Sequence, residues 1–359
     1  MRLRHALTTL AVIGTSTLTV LASAPAQATS RHPGPPVRTI ATGMNGPFGL
    51  DVQSSKRAIV AESGAGQVTS INLRTGARRA LITGLPGVSG VATWGNKIYA
   101  VLGGEQGTPA FPAASVLVAK KDGSGVRVLA DLMRYELKRN PDRQPQFNPQ
   151  GEPYDALSNP FSMIATKWGL LIADGGANDV LRVHPRTGRV STFFVPPNPT
   201  TPACLQPGAQ ANPGVRGCDS VPTGVAVRGK HVYVSTLGAE SPGAAAVYKL
   251  DGRTGKVLKV YRGFTSLTGI AVSPSGTIYL SEVLFGAPAT EEPPPGFDPS
   301  SVGRLTRIQH GRISHAPVTM PTGLEYFHGK LYATSWSIAG FLGIPDAGQL
   351  VEVNPRAFR

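Results

Sequence analysis

Six short apolar runs along this chain end at Glu62, Leu102, Asp174, Thr236, Glu282 and Ser335, so an acid closes the first, third and fifth. Clustered oxygen ligands of this kind hold hard cations such as calcium or magnesium, and converging carboxylates repel unless a cation, a donor or a proton compensates. Glu62, Asp174 and Glu282 are therefore candidate ligands for one divalent cation, and equally candidates for direct contact with a bound molecule. The competing role is local: each acid hydrogen-bonds its own loop and never meets the others. Tyr154, Asp155, Asn159 and Phe161 precede the third run, and Asn178 and Asp179 follow its acid in "ADGGANDVLRV". Tyr154, Asn159, Phe161 and Asn178 thus join the candidate ligand-binding set, with turn capping as the alternative use of Asn159 and Asp179.

Histidine narrows the chemistry. His184, His231, His310 and His328 fall beside short turns, His315 on an outer strand and His32 near the N-terminus. None is expected beside the acids, which argues against a Ser-His-Asp triad or a histidine-based lyase. Any catalysis would rest on carboxylates or a metal.

The elements that position these residues follow from an internal repeat. "PFGLDV" (47–52), "VSGVAT" (88–93), "PFSMIA" (160–165), "PTGVAV" (222–227), "LTGIAV" (267–272) and "PTGLEY" (321–326) each open a unit. Each is followed by an apolar run such as "KIYAV" or "HVYVS", then by a third such as "AVYKLDGRTG". Fourth runs follow five of the units, at 78–83, 126–131, 190–195, 256–261 and 312–317. Four antiparallel strands per unit describe a propeller blade. The sixth unit runs out of chain after "VEVNP", and "VRTIAT" at 37–42 carries the missing pattern. The expected fold is all-β, a six-bladed propeller over 37–359 whose ring is closed by an N-terminal strand. Turns after the first and third strands are short, whereas the other connections carry the long insertions 102–114, 131–159, 195–221, 236–245, 283–302 and 336–347. Function is expected on that decorated face, where the second strands end.

Residues 1–28 stand apart from the fold. Arg2 and Arg4 precede an apolar stretch that ends in Ala26-Gln27-Ala28, the pattern of a Sec-type signal peptide, so a secreted protein with a leader at 29–36 is expected. No later segment reaches the length of a transmembrane span. Cys204 and Cys218 lie in one loop, and in an exported chain the pair is expected to form a disulfide. The formal charge is +14, or +12 without Arg2 and Arg4, and most Lys and Arg fall on outer strands and short turns. Arg134, Lys138, Arg139 and Arg143 sit in "DLMRYELKRNPDR", an expected amphipathic helix. No aromatics interleave with the basic residues, so an anionic envelope polymer on the basic rim is the expected partner of that charge and nucleic acid is not. A monomer is the expected state.

The phrases "ATGMNGPFGLDV", "ADLMRYELKRNPD", "SNPFSMIATKWGLLIADGGANDVLRV" and "VPTGVAV…VYVSTLG" resemble the ScyD/ScyE family of exported propellers, within the NHL-repeat and gluconolactonase-like superfamily. The resemblance implies the fold and export and assigns no reaction. Gluconolactonase-like relatives hold a divalent metal in the channel mouth through a Glu, an Asn and an Asp. That resemblance implies Glu62, Asn159 and Asp174 or Glu282 as the corresponding positions. The expected function is a binding propeller for a small molecule, glycan or protein at the channel mouth. The alternative is a metal-dependent hydrolase or lactonase using the same carboxylates.

Overall fold

The computed structural model describes residues 35–103, 107–206, 212–288 and 294–359. The expected signal peptide, His32 and most of the leader lie outside the described residues. The chain forms six four-stranded antiparallel sheets, the blades of a propeller. Blade one holds β2 (Pro47–Ser54), β3 (Arg57–Glu62), β4 (Gln67–Asn72) and β5 (Arg78–Ile82). Blade two holds β6 (Val88–Trp94), β7 (Lys97–Leu102), β8 (Ser115–Lys120) and β9 (Arg127–Asp131). Blade three holds β10 (Pro160–Thr166), β11 (Gly169–Asp174), β12 (Asp179–Val183) and β13 (Val190–Phe194). Blade four holds β14 (Pro222–Arg228), β15 (His231–Thr236), β16 (Ala245–Asp251) and β17 (Val257–Phe264). Blade five holds β18 (Leu267–Val272), β19 (Ile278–Glu282), β20 (Arg304–Gln309) and β21 (Arg312–Ala316). In blade six, β22 (Leu324–Phe327), β23 (Lys330–Ser335) and β24 (Gly348–Val353) are joined by β1 (Val37–Met44), which lies antiparallel to β24 with Val37 opposite Val353.

Strand position explains strand composition. The second strands are buried on both faces, so β3 and β11 read as unbroken apolar runs up to their terminal acid. The fourth strands are sheet edges, and β5 and β17 expose Arg78, Arg79 and Lys259. Charge on an edge discourages pairing with another chain. The core lies between blades rather than within one. Ile59 and Val68 of blade one pack with Val91, Ile98 and Leu117 of blade two, and Met44, Tyr332 and Leu350 of blade six pack with Val60 and Ile71 of blade one. Each such side chain, fully buried, contributes roughly 1.5–3 kcal/mol.

The inner strands come close enough to touch, and glycine permits it. A β-carbon added at Gly49 would stand 2.8 Å from the Gly90 Cα of the next blade. One at Gly90 would meet Ser162 Cα and Met163 N at 3.0 Å, and one at Gly224 would meet Thr268 O at 3.0 Å. At Gly269 it would overlap the Thr322 carbonyl oxygen, and at Gly323 it would stand 2.5 Å from Phe48 O, which carries the row from blade six to blade one. Only Ser162 of blade three departs from glycine at this point of the repeat.

Between β9 and β10 runs the helix α1 (Leu132–Arg139), capped at its start by the Asp131 carboxylate on Arg134 N and ended by Asn140 in the left-handed region. It turns Leu132 and Glu136 inward. Cys204 and Cys218 form a disulfide and pack against Ala239 and Ala244, joining the loop before β14 to the loop after β15. Among the described residues no helix is long and apolar enough to cross a membrane.

Candidate ligand-binding site

In four blades the residue just before the inner-strand glycine acts on the neighbouring blade. Ser89 Oγ donates to Pro160 O at 2.6 Å, Thr223 Oγ1 to Leu267 O at 2.7 Å, Thr268 Oγ1 to Pro321 O at 3.0 Å and Thr322 Oγ1 to Pro47 O at 3.0 Å. Four of six blades thus share a hydroxyl latch onto the next inner strand. In blades one and three the same position is Phe48 and Phe161, which can make no such bond. Their rings instead stack on each other, with centroids 5.4 Å apart, at the top of the central channel. Two latches have given way to an aromatic platform.

Above the platform opens a basin of about 940 Å³ on the decorated face. Tyr154, Asn159 and Phe161 line it, with Asn45, Phe48, Asp155, Asp219, Glu240, Ile338 and Phe341. Below it, the inner strands enclose a narrower channel of about 170 Å³.

The acids that end the second strands do not reach this basin. Glu62, Asp174 and Glu282 are all but completely buried and absent from its lining. Glu62 accepts from Asn45 N and Gln67 Nε2, both at 3.0 Å, and from Thr69 Oγ1. Asp174 accepts from Ser158 Oγ at 2.6 Å, Asn159 N at 2.7 Å and Ala177 N at 3.2 Å. Glu282 is paired with Arg304 through Nε at 2.9 Å and Nη2 at 3.1 Å, and accepts from Thr306 Oγ1. Thr306 also bonds His315 Nδ1 at 2.9 Å, a relay from an outer-strand histidine inward that sequence reasoning missed. Each acid therefore anchors its own loop, and Glu282 already has a cation in Arg304. Among the described residues no three His, Cys, Asp or Glu side chains form a group able to hold a metal. The donor set does not fit a divalent cation shared by these three carboxylates.

Asn178 is likewise a staple. It is buried with φ 50°, donates Nδ2 to Asp142 Oδ2 at 3.2 Å and accepts from Val221 N at 3.0 Å. It thereby ties the turn after β11 to two of the loops that build the basin wall. Behind that wall lies a nest of acids. Asp179 faces Asp174 across β11 and β12, is fully buried, and has both carboxylate oxygens without a donor. Burial, then Asp174, Glu136 and Asp142, holds its proton on well above the usual carboxylate range. Burial and Asp142 likewise push Glu136 up to about 8, whereas Asp219, bonded by Gln144 Nε2 at 3.0 Å, rises to about 6 mainly through burial.

A second acid pair marks the channel wall. Asp51 accepts from Thr93 Oγ1 at 2.6 Å, and Glu325 from Val52 N. Burial raises Asp51 to about 6; burial and the Asp51 charge raise Glu325 well above its ordinary value. Folded pKa values above unfolded ones mean that the folded state binds more protons, for Asp51 between about pH 4 and pH 6, so stability is lost as pH rises through that window, and Glu325 adds to the loss in the same direction. Glu325→Gln keeps an acceptor for Val52 N and removes one charge. It is expected to stabilise the protein at pH 7 by on the order of 2 kcal/mol and to flatten this dependence. Denaturant titrations at pH 4.5 and pH 7 check it, and a variant less stable than wild type at pH 7 would sink the assignment.

A scan against protein-family models and a search of curated proteins found no match. Solved structures do resemble the chain. Regucalcin, a calcium-binding protein from Agrobacterium tumefaciens, is 14% identical with TM-score 0.54, over 88% of this chain and 92% of that one. A gluconolactonase from Xanthomonas campestris is 11% identical with TM-score 0.54, over 89% of each chain. A putative glucose dehydrogenase from Thermus thermophilus is 16% identical with TM-score 0.53, over 88% of this chain and 98% of that one. At these identities the likeness is one of fold.

Proposed function

We propose that this chain is an exported binding propeller that seats a small ring-bearing molecule on the Phe48 and Phe161 platform. The observation that carries the reading is internal to the repeat: two blades give up a hydroxyl latch that four retain, and the aromatics put in its place face the basin on the decorated face. Local departures from a repeat that lower stability mark functional positions. An apolar floor with a few convergent polar groups is the usual make-up of a small-molecule site. Export is supported by the arginine-led apolar stretch before Ala28 and by the Cys204–Cys218 disulfide, since such bonds persist in oxidising compartments. The basic outer strands offer a separate surface for an anionic envelope polymer.

A thermal-shift screen of ring-bearing small molecules and monosaccharides tests the reading. Compounds that raise the Tm of wild type are expected to have no effect on Phe161→Ala or Tyr154→Ala. Hits that persist in Phe161→Ala would refute the platform.

The metal-dependent lactonase is the second reading, supported by the fold shared with the gluconolactonase and not by Glu62, Asp174 and Glu282, each of which anchors its own loop. With their oxygens already engaged, Asp174→Asn is expected to leave aldonolactone hydrolysis unchanged in calcium, magnesium, manganese or zinc. A metal-dependent rate lost in that variant would establish the enzyme.

A further inference from the structure

The chain carries 35 Lys and Arg against 21 Asp and Glu, so a basin lined at random would lean positive. Among the described residues its ionisable lining is acidic throughout, Asp155, Asp219 and Glu240, with no Lys, Arg or His. Glu240 is the most specific of these. It and Ala239 both hold positive φ, 58° and 48°, a conformation that non-glycine residues keep only where the surroundings fix it. That turn rests on the disulfide through the Ala239 contact. The Oε1 atom of Glu240 is buried and has no hydrogen-bond donor. An acceptor left without a donor costs free energy until something supplies one. Asp219, at about 6, is ionised at pH 7 and adds a second negative charge on the same side. The stacked Phe pair lines the same basin as these acids, and aromatic faces attract cations.

We propose that the basin selects an organic cation with a donor-bearing nitrogen, a primary or secondary amine attached to a ring. The ring lies on Phe48 and Phe161 and the ammonium donates to Glu240. The basic exterior then plays no part in recognising this ligand. The inference rests on the platform reading and adds its charge class.

Four probes of one shape test it by calorimetry at pH 7: phenethylamine, phenethyltrimethylammonium, phenethyl alcohol and phenylacetate. The amine is expected to bind at least 10-fold more tightly than the alcohol, the quaternary ion to fall between them, and the carboxylate to give no measurable heat. Glu240→Gln is expected to weaken the amine at least 10-fold while leaving the alcohol unchanged, and Asp219→Asn to weaken the amine less. Amine and alcohol binding equally, or the carboxylate binding as well as either, would overturn the charge class and leave the platform standing. If none of the four binds, the platform reading falls and the inference with it.

Discussion

A protein carrying Phe48→Thr and Phe161→Thr is expected to fold with stability close to that of wild type and to lose its ligand. Each threonine would stand where Ser89, Thr223, Thr268 and Thr322 stand, one residue before the inner-strand position that packs on the next blade. The hydroxyls would then reach the first residues of the following blades, Val88 and Pro222, in the geometry the other four blades use. A new hydrogen bond contributes about 0.5–1.5 kcal/mol, and losing the aromatic pair costs a similar amount, so the net change is expected within about 1 kcal/mol. Binding of any platform ligand should fall at least 10-fold, to the point of disappearing from a calorimetric trace. The single variants should each lose most of the affinity, because a stacked pair is broken by removing either ring. Denaturant titration and calorimetry on the same preparations separate the two outcomes. Retained binding in the double variant would show that the latch position is not where the ligand sits.

The second large effect is structural. Gly269→Ala is expected to cost at least about 3 kcal/mol, because its β-carbon would overlap the Thr322 carbonyl oxygen, part of the next blade's backbone and unable to rotate away. The Tm should fall by roughly 6 °C or more. Gly340→Ala is the control, since its nearest neighbour would be Asn45 Oδ1 at 3.9 Å, and a change within about 0.5 kcal/mol is expected there. Equal effects at the two positions would mean that the inner ring has more room than its carbonyl contacts indicate.

The repeat was legible because each blade solves one packing problem with the same alternation. Buried second strands must be apolar, and inner strands that touch must carry a residue without a β-carbon or a small one. The positions of Glu62, Asp174 and Glu282 at strand ends were equally readable. Their partners were not: Asn45 N, Ser158 Oγ and Arg304 come from loops and neighbouring strands whose approach follows no period. Asn178 reads in sequence as a ligand-binding candidate in a glycine-rich turn, yet its left-handed backbone turns the amide into the wall, where it bridges Asp142 and Val221. Phe161 stands out in sequence through its polar surroundings, whereas Phe48 does not. The signal that finds both is the residue before the repeat's glycine, where Ser and Thr give way to Phe twice.

The pairing of β1 with β24 brings the two ends of the propeller into one sheet, where Arg38 and Glu352, 314 residues apart in sequence, form an ion pair at 2.6 Å. Closing so long a loop carries an entropic cost that grows only logarithmically with its length, but it cannot be met until nearly all of the chain exists. A chain that folds from its N-terminal end can thus complete up to five blades while β1 stays unpaired until Val353 is available. Closure of the sixth blade is expected to be the slow step, and a chaperone that shields the waiting strand should change the yield of the folded ring more than its stability.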